Sequence, residues 1–263
     1  MNAHFPHAAI RTHAVMGTMA SVHVHDRASP VAIDVAVDAL WLELDRLEAI
    51  FSTFRESSAI SRINRGELHV LDAGAEVVEV FDACTWLEHV SNGAFRARRP
   101  GNTFVDPAGF VKGWATELAA QCLDLAGLRQ WYLSVGGDIQ TRGTAGDGSP
   151  WRVAIADPNS DDARAIRAIV EVSGEAVATS GTAARGRHLW DGRTDQPSHA
   201  LASMTVVGPH LTWADALATA AFVMGPEGVD WVANFDGYRA LAITSAGELV
   251  HRTGQWAAPA TAA

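Results

Sequence analysis

The stretch Val105–Gly137, VDPAGFVKGWATELAAQCLDLAGLRQWYLSVGG, constrains this chain more than any other. Apolar residues recur at helical spacing from about Phe110 to Ala126, and Gly127 follows where a helix stops. A short apolar strand, Trp131–Val135, then runs into Gly136-Gly137-Asp138. The segment opens on Asp106 in a Pro/Gly turn and puts Lys112 near the helix N-terminus, where unpaired amides and the helix dipole favour anions. The glycine pair at the strand end lets a ligand approach the backbone closely. These features suggest a phosphate-bearing ligand; the alternative is a strand–helix–strand unit with a surface lysine and a glycine turn.

A second stretch, Thr212–Gly225, TWADALATAAFVMG, is strongly helical in pattern. Asp215 and Thr219 are four residues apart, so their side chains stack one turn apart on one face. A carboxylate and a hydroxyl so placed suit a hard divalent cation such as Mg²⁺, which takes few protein ligands and completes its shell with water and phosphate oxygens. The competing reading is an aspartate favoured by the helix dipole and a threonine bonded back to a carbonyl.

Elsewhere, Met19–His25 alternates as a strand, and Pro30 to Ile50 forms a long amphipathic helix with Leu40, Leu44, Leu47 and Phe51 facing the core. A short helix around Ser58–Asn64 and a longer one over Gly74–Val90 follow. Strands are expected at Trp151–Ala156, Ala165–Val172, Ala176–Thr179, Leu201–Val207 and Tyr238–Thr244, a polar loop at Arg185–Ser198, and a frayed tail. Long helices mixed with runs of consecutive strands favour α+β over a doubly wound parallel sheet. No linker divides the 263 residues, which make one domain or two intimate subdomains.

A formal net charge of −10 argues against nucleic acid as partner. An anionic ligand then needs local help from a metal, a lysine or backbone amides. Cys84 and Cys122 both fall in helical patterns without metal-ligand spacing and read as free thiols. His23 and His25 share a strand face, which fits either a solvated face or a metal pair; the alternation alone explains the former. No basic segment followed by an apolar one opens the chain, and no lipoprotein cysteine or transmembrane run is visible, so a cytoplasmic location is expected.

Taken in order, the motifs resemble the ApbE family, the FAD:protein FMN transferases, in a short form lacking a lipoprotein signal. They are Met16-Gly17-Thr18; Phe51-Ser52-Thr53-Phe54 with Ser57 and Ile60–Asn64; Gly93-Ala94-Phe95; Asp106 to Gly113; Val135–Asp138; Ala178–Gly181; His188–Asp191 with Arg193-Thr194; and Ala214–Thr219. The resemblance implies an ApbE-like (T-fold-like) α+β fold, mixed sheets with packed helices. It implies that Met16, Phe54, Ala94, Phe95, Asp106 and Lys112 line an FAD site, with Arg96 beside the flavin. The Gly109 carbonyl, the Asp215 carboxylate and the Thr219 hydroxyl would hold Mg²⁺ against the pyrophosphate. His188 would sit beside the reacting phosphate as general base, with Asp191 orienting it or binding the metal. The implied reaction moves FMN from FAD to a Thr or Ser hydroxyl of an acceptor protein and releases AMP. An FAD pyrophosphatase and a non-catalytic FAD-binding protein are the alternatives. The chain departs from the family pattern in four places. Phe54 stands for a tyrosine and Arg96 for a common aspartate. The segment before Asp106 is short, and Asp191-Gly192-Arg193-Thr194-Asp195 replaces D-P-x-T-G.

Overall fold

The structure is a computed structural model and describes residues 8–98, 101, 103–162, 164–182, 190–251 and 256. The first half of the chain contributes β1 (Ala9–Val15), β2 (Thr18–Val24), α1 (Pro30–Phe51), α2 (Ala59–Asn64), α3 (Ala75–Val90) and α4 (Ala108–Leu125). Then come β3 (Trp131–Val135), β4 (Asp138–Arg142), β5 (Trp151–Ala156), β6 (Ile166–Val172) and β7 (Ala176–Gly181). The last part adds β8 (Trp190–Asp191), β9 (Gln196–Pro197), β10 (Leu201–Gly208), α5 (Leu211–Met224), α6 (Gly228–Val232), β11 (Arg239–Thr244) and β12 (Leu249–His251). Eight strands form one sheet in the order β1-β2-β3-β4-β7-β10-β11-β12. Each of its described pairs is antiparallel. The α+β expectation therefore holds, with an antiparallel sheet and helices packed on it.

Two hairpins are closed by two-residue turns that need left-handed backbone. Met16 and Gly17 lie at φ 52 and 68, Gly136 and Gly137 at φ 61 and 96. Such turns match the twist of the flanking strands. Glycine carries this conformation without a Cβ penalty. The two tips are neighbours, since the Gly136 amide donates to the Met19 carbonyl at 3.1 Å.

The strand registers put Val22, Leu133, Gln140 and Ala176 in one row across the sheet. That face meets the helices. Ala20, Val22, Val24, Leu133 and Val135 pack on α1 and α4, while Ala176, Ala178, Met204, Val206, Ala240 and Ala242 pack around α5. The alternate residues Val177, Val207, Leu241 and Ile243 face the other way and are covered by Trp151, Ile155, Val170 and Val172 of the β5–β6 hairpin. Side chains that alternate across a strand account for both layers.

Helix α1 starts where Ser29 caps it, its side chain accepting the Ala32 amide, with Pro30 in the first turn. Its buried residues Ile33, Ala36, Val37, Leu40, Leu44, Leu47 and Phe51 follow helical spacing. Helix α5 differs: ten of its fourteen residues are buried, five of them alanines. It is a central helix, enclosed by α4 and by strands β7 and β10. Small residues let it approach both layers.

Strands β1, β4 and β12 were not anticipated, and Met16-Gly17 forms the turn between β1 and β2. Strand β1 reads AIRTHAV and β4 reads DIQTR, too polar for an apolar alternation to stand out. The expected Arg185–Ser198 loop contains the small β8–β9 ladder, Trp190 opposite Pro197 and Asp191 opposite Gln196. Residues 257–263 of the tail lie outside the described residues. Among the described residues no helix is long and apolar enough to cross a membrane.

Candidate functional site

Helices α4 and α5 cross at Gly113. A Cβ there would lie 2.7 Å from both the Asp215 Cβ and the Leu211 carbonyl oxygen, so only glycine permits the approach. The crossing delivers Asp215, 3% exposed, to the N-terminal half of α4. The Gly113 amide donates to Asp215 Oδ2 at 2.8 Å. In a regular helix that amide serves the carbonyl four residues back, which is Gly109. A carbonyl oxygen has two lone pairs, so that of Gly109 can take a further partner beside any helix bond.

Lys112 turns the same way. Its ammonium lies 3.0 Å from Asp215 Oδ2 and forms an ion pair with Asp138, at the first position of β4 on the helix-facing side of the sheet. Asp138 Oδ1 accepts the Thr179 amide at 3.0 Å. Two buried carboxylates thus share one ammonium, and the cluster carries one uncompensated negative charge when all three are ionised. Lys112 is committed to carboxylates, not extended to solvent as a free anion receptor.

Gly109 packs between Phe95 and Thr219: a Cβ would stand 3.1 Å from the Phe95 ring and 3.3 Å from the Thr219 methyl. The Thr219 hydroxyl lies 3.1 Å from Ser180 Oγ. Thus Asp215 and Thr219, one turn apart on α5, meet Gly109, Lys112 and Gly113 of α4, with Phe95 packed against Gly109. The donors offered are a carbonyl, a carboxylate and hydroxyls, all hard oxygens.

A second wall joins the segment after α3 to the β8–β9 turn. The Gly192 amide donates to the Ala94 carbonyl at 3.1 Å. A Cβ on Gly192 would lie 2.4 Å from the Gly93 carbonyl oxygen and 2.8 Å from Arg96 Cγ. Two departures from the family pattern, Arg96 and Gly192, are therefore packed against each other. Arg96 also pairs with Glu88, Nε to Oε1 at 3.2 Å. Ala94 and Phe95 are buried, and Phe95 is held by its amide donating to Ser91 Oγ. Asp191 accepts from Arg193 Nη2 at 2.7 Å and from the Arg193 amide at 2.8 Å. Burial pushes the Asp191 carboxyl upward, but the hydrogen bonds and charge of Arg193 outweigh it and hold it below the usual carboxylate range.

Asp106 begins α4, its Oδ1 accepting the Ala108 amide at 3.0 Å. Met16 packs against the core cluster that contains Phe95 and Phe110. Phe54 is 96% exposed, its ring presented to solvent. His188 lies outside the described residues. His23 stacks on Tyr132 and His25 packs edge-on to Trp151, with its Nδ1 accepting the Gly146 amide. Among the described residues no group of three His, Cys, Asp or Glu side chains is arranged to hold a metal. Both cysteines are free, Cys84 buried and Cys122 partly so.

Sequence reasoning assigned no role to Asp138, Ser180 or Gly113. An acidic residue straight after a Gly-Gly turn, opposite a strand ending in Thr-Ser-Gly, was the available signal for the first two.

The ApbE family model matches residues 16–99 and 96–242. The chain belongs to the ApbE family. A Klebsiella pneumoniae protein named FAD:protein FMN transferase is 33% identical over 188 residues, 66% of this chain and 53% of its own length. The Escherichia coli (strain K12) protein of that name is 32% identical over 187 residues, again 66% and 53%. The chain therefore spans about half the length of the curated relatives it matches, 53% for both. Among solved structures, the flavin transferase ApbE from Vibrio cholerae superposes with a TM-score of 0.76 at 24% identity, covering 92% of this chain and 95% of that one. An ApbE protein from Thermotoga maritima gives 0.79 at 21%, covering 93% and 96%. These likenesses establish that the ApbE fold is shared.

Proposed function

We propose that this chain is a single-domain, Mg²⁺-dependent FAD:protein FMN transferase. The observation that carries the reading is the α4–α5 crossing, which ties Asp215 to the Gly113 amide and packs Gly109 against Thr219. The names of the relatives point the same way. The residues present fit a divalent cation. Asp215 Oδ2 is tied to the Gly113 amide and to Lys112, while its Oδ1 accepts no hydrogen bond among the described residues. The cluster's net negative charge favours a cation. The Gly109 carbonyl, Asp215 and Thr219 would hold Mg²⁺, whose chemistry when bound is to neutralise charge on the pyrophosphate.

In this reading the acceptor Thr or Ser oxygen forms a bond to the phosphorus on the FMN side of FAD. The bond from that phosphorus to the bridging oxygen breaks, and AMP leaves with that oxygen. His188 takes the hydroxyl proton, a task suited to a neutral imidazole near pH 7. Asp191 is a poor proton acceptor because Arg193 holds it ionised and low; it serves as a fixed negative charge beside the histidine loop. The exposed Phe54 ring offers a stacking surface for the flavin, and Met16, Ala94, Phe95, Arg96 and Asp106 are further candidates to contact it.

Incubation of the pure protein with FAD and Mg²⁺, with and without a Thr-bearing acceptor peptide, tests this. The expected products are AMP and a peptide heavier by one FMN less water. AMP and FMN without peptide modification would indicate hydrolysis instead. No AMP and no saturable FAD binding at micromolar protein would overturn the reading.

A further inference from the structure

Asp138 is not one of the proposed oxygen donors, yet it is 2% exposed beside them. A buried carboxylate stays ionised only with partners. Its Oδ1 has the Thr179 amide. Its Oδ2 has the Lys112 ammonium as its counter-charge. The same ammonium reaches Asp215 Oδ2. One cation is thus suspended between a carboxylate on the sheet and a carboxylate on α5. Asp215 Oδ2 is saturated by the ammonium and the Gly113 amide. Its Oδ1 accepts no hydrogen bond among the described residues and is left for a ligand.

We propose that Asp138 is a positioning residue that acts through Lys112, drawing the ammonium's charge away from Asp215 so that Asp215 keeps the negative charge a divalent cation needs. The inference rests on the flavin-transferase reading above and concerns how this chain tunes that site. Two carboxylates and one ammonium leave one net negative charge. With Asp138 neutral, the net charge is zero and the whole ammonium falls to Asp215, where it rivals the incoming cation. Charge interactions over a few ångströms are strong where water is largely excluded. The loss therefore concerns metal affinity first, and the acceptor hydroxyl or the flavin ring little.

The test is Mn²⁺ binding, followed by electron paramagnetic resonance with saturating FAD present. It compares the parent, Asp138→Asn, and the double variant Lys112→Met/Asp138→Asn. Asp138→Asn is expected to bind Mn²⁺ at least about tenfold more weakly, with FAD affinity unchanged. The double variant is expected to return to within about threefold of the parent, because the rival cation leaves together with the carboxylate. In turnover, Asp138→Asn should raise the Mg²⁺ concentration needed for half-maximal rate more than it lowers the rate at saturating Mg²⁺. An Asp138→Asn protein that binds Mn²⁺ like the parent overturns the proposal. So does a double variant as weak as the single one, since Asp138 would then act through the fold. If Asp138→Asn does not fold by circular dichroism, the double variant decides alone: parent-like Mn²⁺ binding upholds the proposal, and weak binding or failure to fold overturns it. A parent that binds FAD but no Mn²⁺ would instead remove the metal-dependent reading itself, and this proposal with it.

Discussion

Gly113→Ala offers a direct test of the helix crossing that builds the site. The added methyl would lie 2.7 Å from the Leu211 carbonyl oxygen and 2.7 Å from the Asp215 Cβ. Neither atom can swing aside, because one is backbone and the other is fixed to it. Overpacking of this kind costs about 1–3 kcal/mol. The shift also strains the Gly113 amide bond to Asp215, and hydrogen bonds to charged groups contribute about 1.5–3 kcal/mol. Against this, alanine is favoured over glycine inside a helix by about 1 kcal/mol. The clash wins, leaving a net destabilisation of about 2–4 kcal/mol, or roughly 4–16 °C in Tm for a chain of this size. Thermal unfolding followed by circular dichroism measures it. Gly109→Ala is the control: its new methyl meets a ring edge and a methyl at 3.1 and 3.3 Å, side-chain atoms that can yield. Its effect should be much smaller. A Gly113→Ala protein that melts at or above the parent temperature would refute the claim that glycine is required for the crossing.

Three other outcomes are expected. Asp215→Ala should abolish AMP release from FAD without unfolding the chain, since Lys112 keeps Asp138 as partner; near-parent turnover at low Mg²⁺ would sink the metal assignment. Burial, reinforced by the nearby charge of Asp106, pushes the Cys84 thiol up to about 12. At pH 8 a thiol reagent should therefore label Cys122 in the native protein and Cys84 only after unfolding, and equal native rates would contradict this. Arg193→Met should raise the Asp191 pKa, as read by carboxyl NMR. Asp191 is lower in the folded state than in the unfolded chain, so its contribution is present above the unfolded value and lost as pH falls through the folded one. The variant should lose stability at neutral pH and become less sensitive to acid in that range, and an unchanged titration would show that Arg193 is not the cause.

The helices were the most legible part of the fold. Helix α1 carries a serine cap, a first-turn proline and a long apolar stripe, and its expected end at Ile50 falls one residue short of Phe51. Helix α5 was legible from its alanine-rich apolar run, and Asp215 and Thr219 from their spacing. The polar strands were not. In β4 only Ile139 is apolar; Gln140 and Thr141 are buried polar residues, and the Thr141 hydroxyl is bonded to Gly174 and Glu175 more than thirty positions on. The same holds for the site. Lys112 suggested an anion receptor because its sequence neighbours are a helix start, yet its partners come from Asp138 and Asp215, brought near by the sheet and by α5. Gly113 looked like one more helical glycine until the crossing helix gave it a contact. Local pattern carries elements; it does not carry pairings between residues a hundred positions apart.

The enclosure of α5 bears on when the site exists. Its buried residues face α4 and strands β7 and β10 rather than water. Hydrogen exchange there should proceed only through openings as large as global unfolding, while the β8–β9 turn exchanges through small fluctuations. The aspartate at the centre of the site thus sits on the last element to open, and the Arg193 loop on one of the first. During folding the order reverses: Asp215 and Lys112 meet as α4 and α5 dock, and the Arg193 loop settles late. Exchange protection along α5 is consequently a clock for site assembly, readable without any ligand.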